Sequence, residues 1–521
     1  MQNVENIIAN TITKLLRAFN DSKNVFFYTF AFGLVAHGFV YFNEVFSHDS
    51  LYLNHTYDSL ALGRWGQALF LNLRGAIISP TLIGFLSLFF LAISNSLFLD
   101  LFKIKNKVAV IIICGTLVTS FVYTTIAATY IYFLDVNTLA LLFAILSCYV
   151  IKNVEQIYLK LVGASLFLLL SISLYQAYFQ VYTLICGMLF LIDCIKGKEI
   201  KELANTIAFY VLVIVVALVC YKISVILSLK VTSINNLSSG YNGLNNAGSF
   251  QSIEQAIELI FKATHKGFVK LLKYPTFFTS TTNIILLSIN LIIAMYFIYK
   301  MLKKNKVQML LCQLSLLILV PFFANTVYIL SKGLMHDLMK YSYSIALLTP
   351  LIIALNAKYR RVDLSEKSYN SLLGVICTVL ALLIFSNTVY SNQAYLKKEL
   401  EAKSSLSIAT RILDRIEMLP GFIPNKTRVC FIGEASQNPY FKIDRVYLDS
   451  KNRTPTGLNN YVAFTYNTAA YYQSIMGIKF PICDNSKLDN IYVAKMPLFP
   501  SINSVIMLND QVVVKLGDIT K

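Results

Sequence analysis

Residues 204–229 read ANTIAFYVLVIVVALVCYKISVILSL. A single charge, Lys222, interrupts a run long enough to cross the hydrocarbon core of a bilayer, which takes about 20 apolar residues in a helix. The run is not isolated. The whole chain of 521 residues is 56% hydrophobic and only 14% charged, with a mean hydropathy of +0.61. Soluble domains are roughly a quarter charged, so a water-soluble core of this composition would leave far too much apolar surface exposed. Disorder is excluded as well, because 36 Phe and 32 Tyr are the residues that disordered chains lack. The excess apolar surface must face lipid.

Working outward from that stretch, about eleven spans satisfy the length rule: 25–43, 78–100, 108–128, 133–151, 160–176, 178–195, 204–229, 276–299, 308–329, 341–357 and 371–390. Residues 1–24 are polar and amphipathic, unlike a removable signal peptide. The net charge of +18 gathers in alternate loops, as Lys and Arg do on the cytoplasmic side of membranes. Nineteen fall on the side of the N-terminus against nine opposite. The N-terminus is therefore expected inside and the C-terminus outside, and nucleic acid is not the expected partner of this charge.

Three elements fall on the outer side. Loop 44–77 carries His48, Asp49, Asp58, Arg64 and Trp65, the only Trp. Segment 230–275 ends in an amphipathic helix, with Ile253, Ala256, Ile257, Ile260, Phe261, Phe268, Leu271 and Leu272 on one face and Lys262, Lys266 and Lys270 on the other, as in a helix lying in the membrane interface. The tail 391–521 has a near-soluble charge content. It opens on a helical pattern (Leu396 to Ile416) closed by Pro420-Gly421, followed by strands expected at Arg428–Gly433, Asn490–Ala494, Ser504–Leu508 and Gln511–Leu516, the last two turning through Asn509-Asp510. The expected architecture is thus mainly α: a polytopic helical bundle over 1–390 with a small extracytoplasmic α+β domain over 391–521. Of nine Cys, seven lie in apolar runs, and no CxxC or Cys/His spacing suggests zinc. Cys430 and Cys483, outside the membrane, either pair as a disulfide or sit as buried thiols.

A channel or transporter keeps its ionisable residues within its spans. Here they gather at span ends and in outer loops, with Lys222 and Asp193 as partial exceptions. Chemistry on a lipid-phosphate sugar needs a cation for the phosphate, best met by a bidentate Arg, and a carboxylate to take the proton of an acceptor hydroxyl. Arg64 and Asp49 supply both. Each also has an ordinary reading: Asp49 as a helix cap, Arg64 as a side chain reaching lipid phosphates, Asp58 as a first-turn helix carboxylate. Asp135 lies in a brief outer turn between apolar runs. Tyr175 and Gln176, with Tyr178 and Gln180, form a polar-aromatic cluster suited to a sugar or to an aromatic belt. Lys340, near His336 and Asp337, is a second cation.

At these residues the chain resembles a known family. His48-Asp49-Ser50-Leu51 with Gly63-Arg64-Trp65 resembles the serotype-converting O-antigen glucosyltransferases, the Gtr type II family, similar in architecture to the C-type glycosyltransferase superfamily. Met496-Pro497-Leu498-Phe499-Pro500, Ser504-Val505 and Val512 to Leu516 resemble the same family's C-terminal end. A single Asp follows His48 where many members carry paired acids, so no metal site is assigned, and the enzyme is expected to be independent of a divalent metal or only weakly dependent on one. The resemblance implies a bacterial inner-membrane enzyme that moves glucose from a polyprenyl-phosphate donor to a cell-envelope glycan such as O-antigen on the periplasmic face. It implies Asp49 as catalytic base and Arg64 as a contact to the donor phosphate; Asp58, Asp135, Tyr175, Gln176 and Lys340 are further substrate-binding candidates from their positions and chemistry alone. The competing readings are a polyprenyl-linked sugar transporter or flippase, a transferase for another sugar or acceptor, and a scaffold whose outer domain binds partners.

Overall fold

The computed structural model describes residues 23–43, 55–75, 79–234, 237, 252–274, 278–359, 364–433, 435–442, 468–481, 483–484, 488 and 490–518. His48 and Asp49 lie outside the described residues. Ten described helices are long and apolar enough to cross a membrane: Lys23–Phe42, Pro80–Leu101, Lys107–Thr129, Ile131–Asn153, Ile157–Leu174, Gln176–Ile195, Ile200–Val231, Ser280–Leu302, Lys306–Phe323 and Glu366–Glu417. The expected tenth span is the shorter apolar run Tyr341–Ala357. The chain is a membrane-embedded helical bundle with a small mixed domain near its C-terminus.

Burial sorts the spans into layers. Of the hydrophobic window in Lys107–Thr129 and in Gln176–Ile195, 89% is buried by protein, so these two form the centre. Only 22% of the window in Ile200–Val231 is covered, and Val211, Val215, Val219, Ile223 and Ile226 are exposed toward lipid.

The central span Lys107–Thr129 is broken at Thr119-Ser120, between helices Lys107–Val118 and Phe121–Thr129. A break frees backbone groups that lipid cannot satisfy. Three other elements supply the partners. His37 Nε2 bonds the Val118 carbonyl at 3.0 Å, Tyr341 OH donates to the Leu117 carbonyl at 2.8 Å, and Phe121 N–H donates to Tyr274 OH at 3.2 Å. The kink thereby ties together the first span, the segment before the eighth, and the start of the short tenth. A second irregularity lies in Lys306–Phe323, where a π turn at Ser315–Leu319 precedes Pro321. Proline has no N–H for the carbonyl four residues earlier, and the wider turn absorbs the mismatch.

By contacts the chain forms two compact units, the second made of Phe42–Asn54, Ala128–Tyr130 and Asn392–Lys521. The last span does not end where its apolar run ends. Helix Glu366–Glu417 is 52 residues long in all, because nothing between Gly374 and Pro420 interrupts it: no Pro and no further Gly. Its terminal part belongs to the second unit, where Ile408, Ala409, Ile412 and Ile416 pack on Val429, Phe441, Tyr471, Tyr472, Phe499, Val505, Val512 and Val514.

The sheet of that unit has three strands in the order β1-β3-β2, namely β1 Arg428–Ile432, β2 Val505–Leu508 and β3 Gln511–Lys515. β3 runs parallel to β1 and antiparallel to β2. The β2–β3 hairpin turns through Asn509 and Asp510, both with positive φ, as a two-residue primed turn requires. The strand expected at Asn490–Ala494 is instead a helix, Asn490–Lys495. Lys515 Nζ, on β3, donates to the Ala494 and Met496 carbonyls, both at 2.7 Å. Val493 and Met496 are buried against Val513, so the segment covers the sheet rather than extending it.

Cys430 and Cys483 are joined as a disulfide, and the other seven cysteines are thiols. Denatured full-length protein treated with excess maleimide should therefore take seven labels before reduction and nine after it. Nine labels without reduction would show that the bridge is not formed.

Candidate functional site

The loop after the first span folds, within the described residues, into two short helices, His55–Ala61 and Trp65–Arg74. Arg64 sits between them. The preceding Gly63 has φ of +72°, a conformation glycine adopts freely, and it turns the chain back so that Arg64 N–H donates to the Ser59 carbonyl at 2.7 Å. The second helix then lies on the fifth span. Gly66 approaches so closely that an added Cβ would come within 2.2 Å of Ser173 Oγ.

The loop is pinned from two other spans. Gln176 Nε2 donates to the Leu62 carbonyl at 2.9 Å and to Tyr221 OH at 3.0 Å. Tyr221 OH donates to the Gly63 carbonyl at 3.0 Å, and Trp65 Nε1 donates to Ser224 Oγ at 2.9 Å. The same Gln176 fixes the guanidinium, since Arg64 Nε donates to Gln176 Oε1 at 2.9 Å. Tyr175 lies beneath the group, 4.6 Å from Cζ to the ring centroid, in cation–π range. Arg64 is thus held through one nitrogen and one face. Its two terminal nitrogens have no hydrogen-bond partner among the described residues, and the side chain is not fully buried.

Solvation is poor at this point. Burial lowers the pKa of Arg64, opposed by the nearby phenols of Tyr175, Tyr221 and Tyr132, and burial pushes Tyr175 up to about 12. Arginine stays charged under such conditions. An under-solvated cation with two free donors in a fixed fork is an anion-binding group in waiting, and a phosphate fits its geometry.

The other end of the same helix carries a residue the sequence reading passed over. Arg74 Nη1 forms an ion pair with Asp135 Oδ2 at 2.8 Å, and Nη2 donates to the Tyr132 carbonyl at 3.1 Å. Asp135 also accepts from Val136 N–H at 2.9 Å. The pair is shut off from solvent, with side-chain exposures of 4% and 0%. Asp135 therefore anchors the loop through Arg74 and presents no open carboxylate. Asp58 is the opposite case: exposed on the first short helix, with incomplete solvation raising its pKa.

Tyr175, Gln176, Tyr178 and Gln180 do come together at the start of the sixth span, with the Tyr175 and Tyr178 rings 6.0 Å apart and Tyr178 6.1 Å from Tyr341. Their amides point into the protein. Gln176 is fully engaged with the loop, and Gln180 Nε2 donates to the Met339 carbonyl. Lys340, next to Met339, pairs with Asp337 and makes no bond to the Arg64 group. Tyr221, which completes the latch, lies within an apolar run and carried no signal in the sequence. Among the described residues no three His, Cys, Asp or Glu side chains converge as a metal site would need. Counting along the spans, Arg64, Arg74, Asp135, Gln176, Lys266 and Lys340 all fall in loops or span ends on one side of the bundle.

Residues 38–353 match the family described as glucosyl transferase GtrII, and the chain belongs to that family. It is accordingly a glycosyltransferase. No curated protein and no solved structure matches the chain.

The Arg74–Asp135 pair gives a direct test of how the loop is held. Arg74→Leu alone leaves a buried carboxylate unpaired and should cost about 3–5 kcal/mol of stability. Arg74→Leu with Asp135→Leu should recover most of that loss in thermal unfolding. A double variant as unstable as the single one would show that the pair does not act as a unit.

Proposed function

We propose that this member of the GtrII family moves a glucosyl residue from a polyprenyl-phosphate donor to a hydroxyl of a cell-envelope glycan, O-antigen among the candidates, at the periplasmic face of a bacterial inner membrane. The observation that carries the proposal is the Arg64 fork. It is fixed by Gln176 and Tyr175, open at both terminal nitrogens, and set in the outer loop of a chain whose family transfers glucose.

The chemistry follows from what such a donor needs. The acceptor oxygen attacks the anomeric carbon, a new C–O bond forms as the bond to the phosphate oxygen breaks, and the sugar centre inverts. Charge grows on the departing phosphate, where two parallel N–H donors from Arg64 stabilise it more than they do the bound donor. The acceptor's proton passes to a carboxylate, and Asp49 is the base in this reading. Tyr175 and Gln176 act on the substrate through Arg64, Asp135 acts through Arg74, and Lys340 offers a further positive charge on the same side. Asp58 favours a second assignment of the base. It is exposed six residues before Arg64, and its raised pKa moves it toward the range useful to a general base.

The same geometry weighs against a transporter, since the groups proposed to act lie at span ends rather than along a path through the bundle.

Measured as polyprenyl phosphate released from a labelled donor, Asp49→Asn should lower kcat roughly 100- to 10,000-fold with donor binding kept, whereas Asp58→Asn should stay within a few-fold of the parent. The reverse pattern transfers the base to Asp58. Arg64→Gln should lower kcat/KM about 10- to 100-fold, with kcat falling as well as donor binding, the value of a charge-assisted bond. Release at the parent rate in all three variants would refute the proposal.

A further inference from the structure

The amphipathic helix Ile253–Leu272 packs on the bundle along one narrow stripe, with Lys262 and Lys266 exposed and Lys270 half-buried. Ser252 caps it, Oγ accepting from Gln255 N–H at 3.1 Å. Its buried stripe is Leu259, Ala263 and Gly267, which lies between the apolar face and the lysines. Gly267 is so near the Pro321 carbonyl that an added Cβ would stand 2.5 Å from the oxygen. Asn325 Nδ2 donates to the Ala263 carbonyl at 2.8 Å, and Tyr343 OH holds Asn325 Oδ1 at 2.7 Å. These contacts fix the roll of the helix. At 100° per residue, Lys266 and Lys270 then fall on one edge of the stripe, while Ile257, Ile260 and Phe261 fall beyond the other and stay exposed.

The lysines therefore face the segment between the ninth and tenth spans. Lys266 Nζ donates to Tyr328 OH at 2.6 Å and lies 4.9 Å from that ring's centroid. Lys340 Nζ is bonded to Asp337. Lys270, half-buried, makes no hydrogen bond among the described residues, and it feels the charges of Lys340, Asp337 and Lys266. Lys262 is different: it is exposed and paired with Glu258 on its own helix. Among the described residues, Asp337 is the one carboxylate that acts on Lys270, against the two lysines Lys340 and Lys266, so positive charge is in excess along this edge of the helix, where Lys266 is exposed and Lys270 half-buried. Burial and the two neighbouring lysines lower the pKa of Lys270. A dianionic group placed among them would remove that repulsion.

We propose that Lys266, Lys270 and Lys340 form a second anion site, separate from Arg64, that takes a phosphoester at the membrane surface. Three ammonium groups are compact point donors that suit the several oxygens of a phosphate, and Asp337 holds Lys340 in place. The two cation centres hang on one short turn: Gln176 grips Arg64, and Gln180 grips the carbonyl next to Lys340. The chain can accordingly hold two phosphates at once on the same side of the bundle. The phosphate belongs either to a lipid headgroup or to a free phosphate-bearing ligand.

The experiment uses full-length protein in a neutral detergent and reads thermal unfolding during titration with inorganic phosphate, against chloride at equal ionic strength. A parallel arm titrates phosphatidylglycerol into the micelle against phosphatidylcholine. In an Arg64→Gln background, phosphate or phosphatidylglycerol should still raise Tm in a saturable way. Adding Lys270→Gln should weaken that response at least tenfold, and Lys270→Arg should restore it. Lys270 has no hydrogen bond to lose, so these variants are expected to fold. A lysine-dependent response to inorganic phosphate assigns a free phosphate-bearing ligand, and one to phosphatidylglycerol alone assigns a headgroup. No response in either arm, or a response that Lys270→Gln leaves unchanged, overturns the proposal. The readout needs no turnover, so its failure would leave the glucosyl-transfer reading standing.

Discussion

One hydrogen bond organises the candidate site: Arg64 Nε to Gln176 Oε1, at 2.9 Å. A guanidinium bound through both terminal nitrogens would be a structural ion pair, as Arg74 is with Asp135. Bound instead through Nε and one face, Arg64 keeps its fork pointing away from its supports. The distinction between the two arginines of one short helix rests on this difference, and it separates the residue that braces the loop from the residue with donors to spare. Gln176 can serve in this way because Tyr221 and the Leu62 carbonyl take its other end, so the amide cannot rotate. Preorganisation of this kind costs nothing at the moment a charge develops.

The bundle supplies the fixed points. Gln176 opens the sixth span, one of the two that protein covers most completely, and Tyr221 comes from the seventh, whose outer surface is left to lipid. The broken third span, capped by His37, Tyr274 and Tyr341, ties the segments around the first, eighth and tenth spans to the same centre. Buried hydroxyls such as those of Ser87, Thr116 and Thr125 donate to the carbonyl four residues earlier in their own helix, which keeps them satisfied away from water. The loop chemistry is therefore anchored on rigid helices rather than on other loops.

Much of this was legible in the chain. Eleven apolar runs gave eleven helical segments, most with ends shifted by a few residues, because twenty apolar residues have few alternatives to a spanning helix. The hairpin at Asn509-Asp510 was readable for the same kind of reason, since its turn residues tolerate positive φ. The failures have physical causes too. Asn490–Ala494 looked like a strand from its Ile, Tyr and Val, yet β3 already has two neighbours, and the segment packs as a helix on the sheet. The end of the last span was invisible, because a helix with no Pro or Gly passes through a change of solvent without breaking. Lys262 and Lys266 of Ile253–Leu272 are exposed as a polar face implies, but Gly267 and Ala263 permit a closer approach than the large apolar residues do, set the roll, and leave Lys270 half-buried, which the sequence pattern did not reveal. Among the site residues, Arg64 was marked by its charge in the loop between the first two spans. Tyr221 and Arg74 were not, since a tyrosine in an apolar run and a loop arginine each have many ordinary uses. The role of Asp49, which lies outside the described residues, rests on family resemblance and loop chemistry.

The most direct measurement is an experimental structure of the full-length protein bound to glucosyl polyprenyl phosphate. The account predicts phosphate oxygens within hydrogen-bond distance of both terminal nitrogens of Arg64, with Gln176 unmoved and the anomeric carbon facing the Asp49 carboxylate. A donor whose phosphate sits elsewhere, with the Arg64 fork still empty, would contradict it.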